Sequence, residues 1–264
     1  MFAILGTSGS GKTTLISILA NLCMRNVTGD IYYNGNSYRS DFRRSIGYVD
    51  QIDEFLPSVN YKVIDHLTFI AELKLPSSMN RKARRKHVSE VIHQFGLFGC
   101  SNTSLSLVSG GERKRVSLAA ELLVSPKLLL IDEGTSGLDS GAAMALMKML
   151  RTIATDLRIP IIQSIHQPSS SIVNIFDKIA ILSEGSLVYY GASADIEFYL
   201  SSIDYYLPSN STSSSAVDFV LELLYSDNNT FIDGFYHRYC HHNHHHHHHH
   251  HHQYYYHHYC YHHY

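Results

Sequence analysis

Short apolar runs alternate with longer amphipathic ones along this chain. The run at 2–5 predicts a buried parallel strand, and a glycine-rich turn leads from it into a helix over about 12–23. Residues 30–35 read as a strand ending in Asn34-Gly35, a hairpin signal, and 46–49 as a short strand ending near Gln51. From 63 to 75, Val63, Leu67, Ile70, Ala71 and Leu75 recur at helical spacing until Pro76 stops the pattern. A second helix, about 80–95, carries Val88, Val91, Ile92 and Phe95 on one face, and a third begins just after Gly110 and Gly111. The runs at 128–131 and 159–165 predict two more buried strands with a helix over 142–155 between them. Residues 179–183 and 186–190 predict a closing hairpin around Glu184 and Gly185.

Strands alternating with helices predict an α/β fold built on a parallel sheet, with the mainly helical stretch 52–108 as an inserted lobe. Residues 207–236 read as a serine-rich linker followed by a short helix over 218–224, and 237–264 as a His/Tyr low-complexity tail. The tail's imidazoles suit only adventitious metal binding. His66, His87 and His93 read as surface residues of the helical lobe, and the basic run 81–86 as a solvated helix face.

Composition narrows the function classes. A length of 264 residues with 44% hydrophobic content suits one sizeable domain, and a net charge of -2 gives no basic balance for nucleic acid. Cys23, Cys100, Cys240 and Cys260 form no C-x-x-C pair, which fits a reducing compartment better than a disulfide or zinc framework. Every apolar run is far shorter than the ~18 residues a spanning helix needs.

The chemistry begins at Gly6, Thr7, Ser8, Gly9, Ser10, Gly11, Lys12 and Thr13, a complete phosphate-binding loop between a strand and a helix, followed by Thr14. Its glycines let backbone N–H groups point inward at phosphates; Lys12 supplies a point charge, and the Thr13 hydroxyl a Mg²⁺ ligand. The loop alone fits an ATPase, a GTPase or a kinase. Asp132 ends a buried strand, where a carboxylate is costly unless it orders Mg²⁺, and Glu133 beside it is placed to orient or deprotonate water. Either acid alone could merely cap a turn. Gln51, a surface residue in isolation, gains a role at the metal and the attacking water from its place in the motif order. His166 follows a strand and precedes Gln167, Pro168 and Ser169. A lone histidine there is ordinarily structural, but its distance from Asp132 favours a γ-phosphate contact.

The ordered set of the loop, Gln51, Ser109-Gly110-Gly111-Glu112, Asp132-Glu133, Ser136-Gly137-Leu138-Asp139 and His166 resembles an ABC nucleotide-binding domain over roughly 1–224. Finer matches, Gly111-Glu112-Arg113-Lys114-Arg115, residues 134–140, 165–170 and Phe176-Asp177-Lys178, resemble the G subfamily of white-type half-transporters. The resemblance implies a P-loop NTPase core over 1–206 with an inserted helical subdomain and an incomplete antiparallel β edge. It implies ATP and Mg²⁺ as ligands and a second nucleotide-binding domain as partner. Ser109, Gly110, Gly111 and Glu112 would engage the ATP held by the opposite subunit, with Asp139 contacting that partner.

In this family two further strands precede the loop, one carrying an adenine-stacking aromatic, and a six-helix membrane domain follows. Neither lies in this sequence, so a chain of this extent is not expected to transport alone. The His/Tyr tail is expected to be a translated microsatellite beyond a broken exon boundary. Gly134 stands where proline usually follows the catalytic glutamate, which is expected to loosen the turn that carries Glu133. The resemblance implies the ATP-hydrolysing module of an exporter of lipid, sterol or xenobiotic class, on the cytosolic face of a membrane. Its rivals are a non-catalytic fragment that pairs with full-length subunits and a soluble ABC ATPase.

Overall fold

The computed structural model describes residues 1–24, 26–37, 40–51, 61–202 and 216–225. In chain order the elements are β1 (Phe2–Gly6), α1 (Lys12–Leu19), β2 (Tyr32–Tyr33), β3 (Asn36–Ser37), β4 (Ile46–Val49), α2 (Val63–Lys74), α3 (Arg81–Gln94) and α4 (Gly110–Leu122). After these come β5 (Leu128–Ile131), α5 (Ser140–Asp156), β6 (Ile161–Ile165), α6 (Ser170–Val173), β7 (Lys178–Ser183), β8 (Ser186–Gly191), α7 (Ile196–Ser202) and α8 (Ala216–Tyr225). The main sheet runs β4-β5-β6-β1-β7-β8. All neighbours in it are parallel except β7 and β8, whose antiparallel ladder shifts register between Ile181 and Leu182.

Both faces of this sheet are covered, so its strands read as unbroken apolar runs while their side chains still alternate. Ala3, Leu5, Leu129, Ile131, Ile179 and Ile181 enter one large core with α4 and α5. Ile4, Leu128, Leu130 and Leu182 turn the other way, onto Ile16 of α1 and Ala20 just beyond it. The stripes Val63, Leu67, Ala71 of α2 and Val88, Val91, Ile92 of α3 join the large core, which runs unbroken from the sheet into these helices. The α2 start is pinned from outside: Val63 N–H donates to Thr103 O at 3.1 Å and Leu105 N–H to Tyr61 O at 2.9 Å.

Element ends follow local chemistry. Helix α1 stops at Leu19, short of the expected 23, because Asn21 takes a left-handed φ of 56°. Asn21 N–H then donates to Ile18 O and Leu22 N–H to Ser17 O, both at 2.9 Å, the paired bonds of a Schellman stop. Helix α2 ends where Leu75 turns extended before Pro76. Helix α4 starts at Gly110 and α5 at Ser140, earlier than expected, because Ser109 and Asp139 cap them. Strand β6 begins at Ile161 rather than 159, since Pro160 has no N–H for the ladder.

The Asn34-Gly35 turn, with φ of 49° and 76°, closes the expected hairpin β2–β3 as its own two-stranded sheet. Tyr33 ties it to α1 by donating its hydroxyl to Leu19 O, and its ring stacks on Phe42 with centroids 5.8 Å apart. Two of the three histidines of the helical lobe are not simple surface residues. His66 is half-buried and burial lowers its pKa, and His87 Nε2 lies 2.8 Å from Leu123 O, linking α3 to the end of α4. Helix α8 docks on the body through buried Val217 and Val220. The serine-rich stretch and the His/Tyr tail lie outside the described residues.

Leu130→Ala truncates a fully buried side chain between β5 and α1. It is expected to cost about 2–5 kcal/mol, read as a lower urea midpoint at unchanged m-value.

Candidate functional site

Four parallel strands deliver their carboxyl ends to one edge of the sheet, where α/β proteins bind ligands. Register aligns them: Val49 lies opposite Ile131, Ile131 opposite Gln163, and Ile165 opposite Leu5. The next residues along each strand bring Gln51, Asp132-Glu133, His166 and the loop beginning at Gly6 to that edge.

The loop turns without room for a side chain at its first residue. A Cβ on Gly6 would stand 2.2 Å from Leu182 O and 2.6 Å from Ser10 Oγ, and the backbone there has a φ of 152°. Gly9 and Gly11 also take left-handed φ, 78° and 94°. Ser10 N–H donates to Thr7 O at 3.2 Å, and the β7–β8 turn braces the loop through Gly185 N–H on Ser10 O at 3.2 Å. Lys12 is 4% exposed and folds back, with Nζ donating to Gly6 O at 2.9 Å and to Thr7 O at 2.7 Å. Burial lowers its pKa, while Glu133 and then Asp132 pull it back up. Thr13 and Thr14 are exposed in the first turn of α1, while Thr7 is half-buried and Ser8 exposed.

Asp132 is fully buried. Its Oδ1 accepts from Ser164 Oγ at 2.5 Å, and its Oδ2 has no hydrogen-bond partner. The same Ser164 hydroxyl accepts the Glu133 N–H at 2.8 Å. Glu133 adopts a φ of 44°, a conformation that non-glycine residues hold only when their surroundings fix it. Its side chain is fixed as well, because Gln51 Nε2 donates to Glu133 Oε2 at 2.8 Å.

Gly134, where proline usually follows the glutamate, has no room for a side chain as the turn stands. A Cβ there would meet Ile131 Cγ2 at 2.6 Å and Gln163 Nε2 at 3.0 Å, so the space is already filled. Gln163 is itself fully buried beside this turn. His166 is exposed at the end of β6, level with Gly6.

An orphaned carboxylate oxygen, a glycine-rich loop, a buried lysine and hydroxyls at a helix N-terminus form a donor set that fits Mg²⁺ with a nucleotide's phosphates. Asp132 Oδ2 and the Thr13 hydroxyl are oxygen donors of the kind that would hold such a cation.

The remaining expected residues form a separate constellation. Ser109 Oγ caps α4 by accepting Glu112 N–H at 3.3 Å, while Glu112 Oε2 accepts from Ser109 N–H at 2.9 Å and Ser109 Oγ at 2.8 Å. These bonds from Ser109 hold the Glu112 carboxyl below its ordinary pKa. Asp139 caps α5, its Oδ1 accepting Ala142 N–H at 2.9 Å. The two helix starts meet where Gly111 faces Leu138 and Ala142. Ser109, Gly110 and Asp139 are exposed, leaving this pair of positive helix ends open to an anion.

Sequence reasoning missed Ser164, Gly185 and Lys114. Ser164 was visible as a polar residue inside a predicted buried strand. Lys114 falls four and eight residues before Leu118 and Leu122, on the buried stripe of α4. Gly185 carried no signal beyond its turn.

Gly6→Ala forces a Cβ onto a carbonyl oxygen and is expected to abolish nucleotide binding, measured with a fluorescent ATP analogue. The Ser109–Glu112 box has a definite pH sign. Because the folded-state pKa of Glu112 is depressed, its contribution is present above the ordinary value of 4.5 and is lost as pH falls through the folded value. Ser109→Ala is expected to cost about 0.5–2 kcal/mol at neutral pH and less in acid, seen by denaturation at both pH values.

The family profile described as ABC transporter matches residues 1–136. ABC transporter G family member 14 of Arabidopsis thaliana is 41% identical over 226 residues, covering 84% of this chain and 34% of that protein. Member 1 of Dictyostelium discoideum is 38% identical over 234 residues, covering 85% and 28%. The chain thus spans about a third of the length of the curated relatives it matches. Among solved structures, cbiO1 from Clostridium perfringens, part of the ABC transporter complex cbiONQ, superposes with a TM-score of 0.65 at 25% identity, covering 77% of this chain and 81% of that one. The dimeric ATP-binding cassette MJ0796, in a post-hydrolysis state bound to ADP and Pi, superposes with a TM-score of 0.63 at 24% identity, covering 73% and 84%. The chain belongs to the ABC transporter family and carries that family's ATPase domain.

Proposed function

We propose that this ATPase domain hydrolyses ATP as one half of a head-to-tail pair. Each chain holds one nucleotide on the loop from Gly6 to Thr14, and the partner's Ser109-Gly110-Gly111-Glu112 closes over it. The observation that carries this reading is Glu133, anchored through its backbone by Ser164 and through its carboxylate by Gln51, next to the orphaned Asp132 Oδ2.

Each role follows from the chemistry of the group. Inward amides of the loop and the α1 dipole bind the phosphates. Lys12, whose Nζ rests on Gly6 O and Thr7 O, exchanges these carbonyls for β- and γ-phosphate oxygens. Asp132, Thr13 and Gln51 hold Mg²⁺, which supplies charge neutralisation when bound. Glu133 accepts the proton of the attacking water, and fixing its carboxylate beforehand removes a reorganisation cost from the barrier. His166, next after Ile165, which lies opposite Leu5, would donate to the γ-phosphate. Asp139 and the residues from Ser136 contact the partner chain. The exposed helix starts at Ser109 and Asp139 suit an anionic face presented by a second copy.

By its likeness to G family members, the pair would drive an exporter of lipid, sterol or xenobiotic class from the cytosolic face of a membrane. Among the described residues no helix is long and apolar enough to cross one.

The purified chain is expected to show Mg²⁺-dependent ATP hydrolysis, and Glu133→Gln to lower kcat by roughly 10²–10⁴-fold while ATP still binds. Binding without turnover in the parent would replace this reading with that of a nucleotide-binding fragment.

A further inference from the structure

Helix α4 carries a second feature besides its exposed start. Lys114, one turn into the helix, is 2% exposed and reaches across to the edge of the sheet. Its Nζ donates to Asp50 O at 3.0 Å and to Gln51 O at 3.2 Å. Burying an ammonium group is costly, and packing alone would be served better by an apolar side chain on this stripe beside Leu118 and Leu122. The cation is retained where two carbonyls lie just beyond the end of β4, past the last ladder pair of Val49 with Ile131.

We infer that Lys114 is a positioning residue that fixes Gln51, and through Gln51 the Glu133 carboxylate. The chain of contacts is short: Lys114 Nζ to the backbone of Gln51, then Gln51 Nε2 to Glu133 Oε2 at 2.8 Å. The backbone of Glu133 is held from β6 by Ser164, so the orientation of its carboxylate is set from the other side, by α4. A backbone clamp suits this task, because it restrains where the Gln51 side chain starts without occupying its amide. Ser109 also caps helix α4, so the element expected to meet the partner's nucleotide is the one that sets this chain's own glutamate. The inference rests on the proposed hydrolytic role of Glu133.

The test uses the full chain with Lys114→Met, Lys114→Arg, Gln51→Ala and the Lys114→Met/Gln51→Ala double variant. Lys114→Met is expected to lower kcat at least about tenfold, as for a lost charged hydrogen bond, with KM for ATP changed less than about twofold. Lys114→Arg keeps donors for both carbonyls and is expected to recover most of the lost kcat. Because Lys114 acts through Gln51, the double variant is expected to be no slower than Gln51→Ala alone, a non-additivity that mere helix-to-sheet adhesion would not produce. If Lys114→Met does not fold, as judged by its melting transition, Lys114→Gln carries the same comparison. A parent that turns over beside a Lys114→Met that keeps its kcat overturns the positioning role alone. Additive losses in the double variant, or failure of Lys114→Arg to recover kcat, overturn it too. A parent without Mg²⁺-dependent turnover overturns the hydrolytic reading, and the positioning role with it.

Discussion

The backbone of β1 passes so close to that of β7 at Gly6 that the Leu182 carbonyl occupies the volume a Cβ would need. That approach lets the chain leave the sheet at its centre, between β6 and β7, and wrap a glycine-rich loop over the end of the strand. Ser10 and Gly185 lock the wrap from the neighbouring hairpin turn. Everything else at the site is arranged around this loop. Its position fixes where phosphate can lie, and that decides which other strand ends are useful.

Buried charge is the second constraint, and the fold meets it differently at each position. Lys12 satisfies itself on loop carbonyls and can trade them for phosphate. Asp132 shares the Ser164 hydroxyl with the backbone of Glu133, leaving one oxygen for a ligand. Lys114 donates to a neighbouring backbone segment. The first two are poised for exchange, while the third ties one element to another. Such groups cost stability unless they are paired, so their placement along a single edge reflects function more than folding.

The second constellation is built from helix ends rather than strand ends. Ser109 and Glu112 satisfy one another in a capping box, and Asp139 caps the adjacent helix, so both starts are rigid before any ligand arrives. Rigid, exposed N–H groups beside each other bind anions at little entropic cost. This is why residues that read as partner contacts also do ordinary structural work.

Much of the site was legible because its chemistry is local. The loop from Gly6 to Thr13 needs its glycines at fixed offsets, Asp132 betrays itself as a charge ending an apolar run, and Ser109 to Glu112 is a capping pattern four residues long. Strand and helix identities were equally local, since each follows from periodicity and from stops such as Pro76 and Asn34-Gly35. The crowding at Gly134 was not legible, because part of it comes from Gln163 on the neighbouring strand. The partly buried His66 and His87 failed for a similar reason: their environment comes from neighbouring helices. The sequence by itself determined which groups could bind phosphate, hold a cation or activate water, because those capacities belong to residue types at short spacing. Only the tertiary structure decided that Gln51 meets Glu133, that Ser164 serves Asp132 and Glu133 together, and that Lys114 reaches Asp50 and Gln51. Those contacts join residues distant along the chain, and sheet order and register, which no short stretch encodes, bring them within hydrogen-bonding range.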